Sequence, residues 1–266
     1  MSTPLTWHIA FHSGFTADSD LQAALDVGIA IGVVADRVTL RQQLRSLPDH
    51  LDRCGKVFVD SGAFTAFRRQ LPMDWLRVFT IYRALCNTTM RPKNLSIVAP
   101  DVVGDQQATL LLWHRYARDI RSWVDVGARV IIPLQAGSLS AGELLQEAIG
   151  LLGTKACCAG IPSNLAAMTA ADCRTLKHND FHILGRVVMT DELRDKVQAL
   201  LTRNAGATIS SDANWLRSRT RQIAGTVEML RGTPNLLQTR RTRAVKALLK
   251  HDAFESLDQL APRLRG

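Results

Sequence analysis

The chain has 266 residues, 46% of them hydrophobic, and a formal net charge of +9. That length suits one large domain or two small ones, and the hydrophobic content is ordinary for a folded globular protein. No apolar run approaches the ~20 residues of a membrane span, and the first residues lack the basic and apolar regions of a signal peptide, so a cytoplasmic protein without a membrane partner is expected.

Eight short apolar runs stand out in chain order: Trp7–Phe11, Ile29–Val34, Val57–Val59, Leu95–Ala99, Val130–Leu134, Ala156–Ala159, Phe181–Leu184 and Ala207–Ile209. Helical periodicity fills most of the gaps. Met73–Cys86 carries Trp75, Leu76, Phe79, Tyr82 and Leu85 at steps of one, three and four. Thr109–Val126 and Asp191–Leu201 read similarly, and Asp36–Leu47 is expected to be helical. Leu139–Leu152 follows Ser138 or Ser140 as N-cap, with Glu143 three residues after Ser140 in the pattern of a capping box. After Ile209 the chain turns basic, and Leu236–Leu249 and Phe254–Leu264 read as terminal helices.

Strand alternating with helix eight times predicts an α/β protein, a closed (β/α)₈ TIM barrel over residues 1–215, followed by a basic helical extension over 216–266 packed on it. A doubly wound open sheet is the alternative, but no G-x-G-x-x-G follows the first strand. The five cysteines (Cys54, Cys86, Cys157, Cys158 and Cys173) form no C-x-x-C pair, and the seven histidines form no H-x-E or H-E-x-x-H motif. No disulfide framework, zinc subdomain, structural metal or cofactor is expected from such spacing.

The residues at or just past the end of each run are His12 and Ser13, Asp36, Asp60, Asp101, Gln135, Gly160, Gly185 and Asp212. In a barrel these face one mouth, where the active sites of such folds are built. Taken singly, each is as well explained as the N-cap of the next helix. Together, acids and an amide around one rim suit acid/base and nucleophilic chemistry on a ligand rich in N–H donors, and ill suit direct binding of phosphate. Val57–Phe64 is the clearest case: a β-favouring run delivers Asp60, and Ser61-Gly62-Ala63 then breaks the strand.

These segments resemble the tRNA-guanine transglycosylase superfamily, and within it the DNA-acting DpdA-type 7-deazaguanine transglycosylases. Asp60-Ser61-Gly62-Ala63-Phe64 is similar to the family's D-S-G-G-[FY], with Ala63 for the second glycine. Asp101 stands at the second acid, Leu134-Gln135-Ala136-Gly137 resembles V-Q-G-G, and Gly160-Ile161 and Ile183-Leu184-Gly185 match the next two segments. Asp212 stands at the family's nucleophile. The three-cysteine, one-histidine zinc site of the tRNA enzymes has no counterpart, which favours DNA over tRNA.

The resemblance implies cleavage of a base–sugar bond, with Asp212 as nucleophile and Asp60 as general acid/base. Phe64 and Leu184 would sandwich a flipped base, while Asp101, Gln135, Gly160, Ile161 and Gly185 read it. Attack by a free 7-deazaguanine would make a transglycosylase; attack by water would make a base-excising DNA glycosylase suited to phage defence. A non-catalytic nucleic-acid-binding barrel is a third reading.

Charge bears on the partner. Residues 211–266 hold 11 basic and 5 acidic side chains, against 22 and 19 in the rest. Arg217, Arg219, Arg240, Arg241 and Arg243 are therefore expected to hold phosphates of DNA, single-stranded or with a flipped base; the competing reading is a solvated basic helix.

Overall fold

In a computed structural model of the protein the described residues are 7–13, 15, 17–164, 166–185, 190–213, 242–243 and 245–250. Eight strands run β1 (Trp7–His12), β2 (Ile31–Val34), β3 (Val57–Asp60), β4 (Leu95–Val98), β5 (Arg129–Pro133), β6 (Cys158–Pro162), β7 (Asp180–Leu184) and β8 (Thr208–Ala213). All neighbours pair in parallel, and β8 returns to pair with β1, closing a (β/α)₈ barrel. The crossovers carry α1 (Asp18–Val27), α2 (Leu47–Asp52), α3 (Ala63–Arg69), α4 (Trp75–Thr88), α5 (Gln106–Asp125), α6 (Ala141–Leu152), α7 (Ala170–Thr175) and α8 (Asp191–Arg203).

Alternation along each strand splits the apolar residues between two layers. Val57 and Val59 face outward into the large core between strands and helices, where Trp113, Trp123 and Tyr82 are fully buried. Phe58 faces inward and packs with Phe11, Val98, Ile131 and Cys158 in a small cluster that fills the barrel. Burying a large apolar side chain contributes about 1.5–3 kcal/mol, so the outer layer carries most of the hydrophobic stabilisation. The inner layer shapes the floor beneath the mouth.

Three boundaries differ from the periodicity for physical reasons. β6 starts at Cys158 and not at Ala156, because its register with β5 begins at Ile131↔Cys158. β8 runs on through Ser210, Ser211 and Asp212, polar residues that hydrophobicity alone assigns to a loop. The stretch expected as one helix over Asp36–Leu47 is a 3₁₀ turn (Ala35–Arg37) and a wide π-type turn (Gln42–Ser46), with α2 following. Pro48 has no N–H to give to a regular ladder and is tolerated only in the first turn of α2. The capping box is present as read, Ser140 with Glu143.

Part of the C-terminal extension is described. Residues 242–243 and 245–250 are helical, Val245 and Leu249 join the outer core, and Lys246 pairs with Asp26 of α1. The expected boundary at 215/216, the second terminal helix, Leu236–Arg241 and Ala244 lie outside the described residues. Among those described, no helix is long and apolar enough to cross a membrane. Nor, among them, are three or more histidines, cysteines or acids grouped so as to hold a metal.

Candidate active site

Asp60 ends β3, opposite Val34 of β2. Its carboxylate accepts the Gly62 N–H at 3.1 Å, and Gly62 has φ +88°, a conformation that lets the chain turn at once into α3. The Tyr82 hydroxyl of α4 donates to the Val59 carbonyl at 3.3 Å and ties this strand end to the outer layer. Burial is the main reason that the Asp60 carboxyl is pushed up to about 6, with the charge of Asp212 adding to it.

Asp101 lies three residues past β4 in a loop pinned by α5. Trp113 Nε1 donates to the Pro100 carbonyl at 2.9 Å, and the Val102 N–H donates to Thr109 Oγ1 at 2.9 Å. Gln135 donates its amide to Asp101 Oδ2 at 2.9 Å and accepts the Gly104 N–H at 2.9 Å. Burial, and secondarily the charge of Asp60, push Asp101 up to about 7.

Gln135 is itself held by a residue that the sequence did not single out. Gln106, buried in the first turn of α5, donates its amide to the carbonyls of Gln135 and Leu139, both at 2.9 Å, and accepts the Leu139 N–H at 2.8 Å. Gly137 leaves room for it: a Cβ there would lie 2.5 Å from Gln106 Cβ. A glutamine opening a helix reads as a surface residue in the sequence, so no signal marks it.

Asp212, on β8, closes the ring of acids. Ser13 Oγ donates to it at 3.4 Å, the Gly185 N–H at 3.4 Å, and His182 Nε2 lies 3.5 Å away. All three contacts are long. His182 is fully buried in the barrel, its ring stacked on Phe58 at 4.9 Å, and burial lowers its pKa. Nδ1 sits 2.9 Å from Ser210 Oγ, which accepts from Arg129 Nη2 at 2.8 Å. Arg129 makes a two-pronged pair with Asp180, at 2.6 and 2.7 Å, at the opposite end of the barrel. Phe181 and Ile183 face the outer core, so alternation turns His182 between them inward, a direction that the apolar run by itself does not give.

The expected residues thus divide. Asp60, Asp101, Gln135, Gly185 and Asp212 converge on the mouth. Gly160 is buried beneath it, where a Cβ would meet Ile131 Cγ2 at 2.9 Å, and its carbonyl is already taken by the Leu134 N–H. Ile161 points into the outer core, since strand alternation turns it away from the lumen. Leu184 packs on the inner cluster, whereas Phe64 stands 58% exposed on α3. Asp36 pairs with its neighbour Arg37 on the surface. Arg217, Arg219, Arg240 and Arg241 lie outside the described residues, and Arg243 is half-buried.

No protein-family model and no curated protein matches the chain at a significant level. Among solved structures it is similar to a xylose isomerase domain protein from Alicyclobacillus acidocaldarius, at 14% identity and TM-score 0.47 over 96% of this chain and 99% of that one. A D-allulose 3-epimerase from Methylomonas sp. shares 10% identity at TM-score 0.48, over 94% and 99%. A putative fructose-1,6-biphosphate aldolase from Coccidioides immitis shares 9% at TM-score 0.51, over 92% and 90%. At such identities the common feature is the barrel. The function drawn from the family resemblance is corrected here, since these matches are sugar isomerase-, epimerase- and aldolase-type barrels. The described mouth also presents acids, which repel phosphate. Neither exchange nor excision of a nucleobase in DNA, nor a silent nucleic-acid-binding barrel, is carried forward.

Proposed function

We propose that the protein is an enzyme that moves protons on a small, uncharged, hydroxyl-rich ligand held in the mouth of the barrel. The observation that carries this reading is the convergence of Asp60 and Asp101 on the mouth, their carboxyls raised to about 6 and about 7, chiefly by burial. Near neutral pH one carboxylate of such a pair is charged while the other keeps its proton, the division of labour that acid–base catalysis needs. Asp60, with the lower value, is the base. Asp101 is the acid: Gln135 occupies its Oδ2, so the proton resides on Oδ1. Asp212 and Ser13 accept and donate to ligand hydroxyls, and the Phe58–His182 stack forms an apolar floor.

Three acids in one pocket disfavour a phosphate or carboxylate ligand and favour one that donates hydrogen bonds. A sugar has this character, and it is the substrate class to test first. What the family resemblance contributes is the identity of the carboxylates and the amide. The test is incubation with a panel of neutral aldoses and ketoses in deuterium oxide, followed by NMR of the carbon next to the carbonyl. Deuterium should enter at least one sugar, and Asp60→Asn should prevent it. Exchange in no sugar, or undiminished exchange by Asp60→Asn, would overturn the reading.

A further inference from the structure

A second concavity, of about 800 Å³, lies at the other end of the barrel, where the chain enters β5 to β8. Its walls carry Arg129, Lys155, Lys177 and Arg203, and its one acid is Asp180. That acid is already engaged, by both prongs of Arg129 and by Thr208 Oγ1 at 3.2 Å. Lys155, Lys177 and Arg203 are exposed and have no ion-pair partner among the described residues. The cleft therefore presents three cations, unpaired among the described residues, from the ends of three different crossovers.

The walls are held in place by the chain's own hydrogen bonds. Asn204, buried, donates to the carbonyls of Leu176 and Leu200 at 3.1 and 2.9 Å and accepts the His178 N–H at 2.9 Å. His178 in turn sets its Nε2 on the Cys157 carbonyl at 2.6 Å. One buried amide and one imidazole thus join the segments that bear Lys155, Lys177 and Arg203, so a ligand meets a wall already formed. The volume falls within the ~300–1,000 Å³ usual for small-molecule sites.

Each cation has a simpler explanation taken alone. Lys155 and Lys177 follow the C-termini of α6 and α7, and Arg203 lies in the last turn of α8, where positive charge complements the helix dipole. That preference places one charge per helix end. It does not account for three of them lining one concavity with no acid among the described residues left to neutralise them.

We infer that this cleft binds a small polyanion of the oligophosphate class, at a site separate from the mouth. Several spaced negative charges on one ligand match three spaced cations, which a single carboxylate does not. The probe is inorganic tripolyphosphate, titrated calorimetrically into the full-length protein at low salt. Saturable binding of one equivalent is expected, weakening as salt rises. Lys177→Glu/Arg203→Glu should weaken it by at least ~10-fold, the order expected for losing charge-assisted contacts. Arg41→Glu/Arg45→Glu changes the net charge equally on the far side of the molecule and should change affinity by less than about 2-fold. Should the charge reversal compromise folding, Lys177→Gln/Arg203→Gln removes the charge alone and should still weaken binding several-fold. No saturable binding, equal weakening by the two Glu pairs, or unaltered affinity in the Gln pair would overturn the inference. So would a single-stranded DNA oligomer that binds through these residues when tripolyphosphate does not.

Discussion

His182 presents Nε2 to Asp212 Oδ1 at 3.5 Å, while its other ring nitrogen meets a serine that already accepts from Arg129. The Ser210 hydroxyl donates to the Phe181 carbonyl at 3.2 Å, while its oxygen accepts from Arg129 and faces Nδ1 of the ring. Burial lowers the His182 pKa and so favours the neutral imidazole beside Asp212. A chain of contacts thus runs from Asp212 through His182 and Ser210 to Arg129 at the far end of the barrel.

His182→Phe keeps a ring on Phe58 but removes both nitrogens. In the sugar assay its turnover should fall by roughly 10-fold or more, with a smaller change in KM, since positioning groups act on the reacting geometry. His182→Gln, which retains a donor, should recover part of that loss. Equal activity of wild type and the Phe variant would remove His182 from the mechanism.

The pH profile follows from the acid pair. Activity needs Asp60 ionised and Asp101 protonated, so the profile should be a bell with limbs near the apparent values of about 6 and about 7. Asp60→Asn should lower the rate by at least ~10²-fold and erase the acid limb. A flat profile between pH 5 and 8 would count against the pair.

Stability should respond to pH in a related way. Asp101 has a folded-state pKa above the ordinary carboxylate value, so its neutral form stabilises the fold at low pH. That contribution fades as pH rises from about 4 through about 7. Asp101→Asn stays neutral and can still accept from Gln135. Relative to wild type it should gain on the order of 2 kcal/mol between pH 5 and pH 8. Denaturant unfolding at both pH values reads this directly, and a parallel dependence in the two proteins would refute it.

Gly137→Ala tests the loop behind Gln135. The added methyl would displace the Gln106 side chain and its three hydrogen bonds, at a cost of roughly 1–3 kcal/mol. In Gly137→Ala/Gln106→Gly the clash with the Gln106 Cβ and amide is relieved, so the double variant should be distinctly more stable than the sum of the single effects. Strict additivity would mean that the glycine serves another purpose.

The barrel was legible because each strand carries an apolar run and most crossovers a helical period, down to the Ser140–Glu143 box; Asp36–Leu47, expected as one helix, was the exception. The acids were legible for the same reason: Asp60 and Asp101 end or follow apolar runs, and a run's end is a mouth position. What could not be read was which way a four- or five-residue strand faces. Ile161 and His182 sit on neighbouring strands in similar apolar settings, yet one points out and the other in, and only register decides. Ser210 was hidden because a polar residue inside a strand resembles a loop, when here the lumen supplies its partners. Gln106 acts across thirty residues of chain, beyond any local pattern.

The cluster of Phe11, Phe58, Val98, Ile131 and Cys158 fills the barrel beneath the acids, and the Arg129–Asp180 pair stoppers its lower end. Among the described residues the lumen therefore opens only at the mouth. Whatever reaches Asp212 enters and leaves by the same opening, so product still seated on the acids blocks the next substrate molecule. Accumulated product should accordingly slow turnover in competition with substrate, and a ligand lodged in the lower cleft should leave that traffic unobstructed.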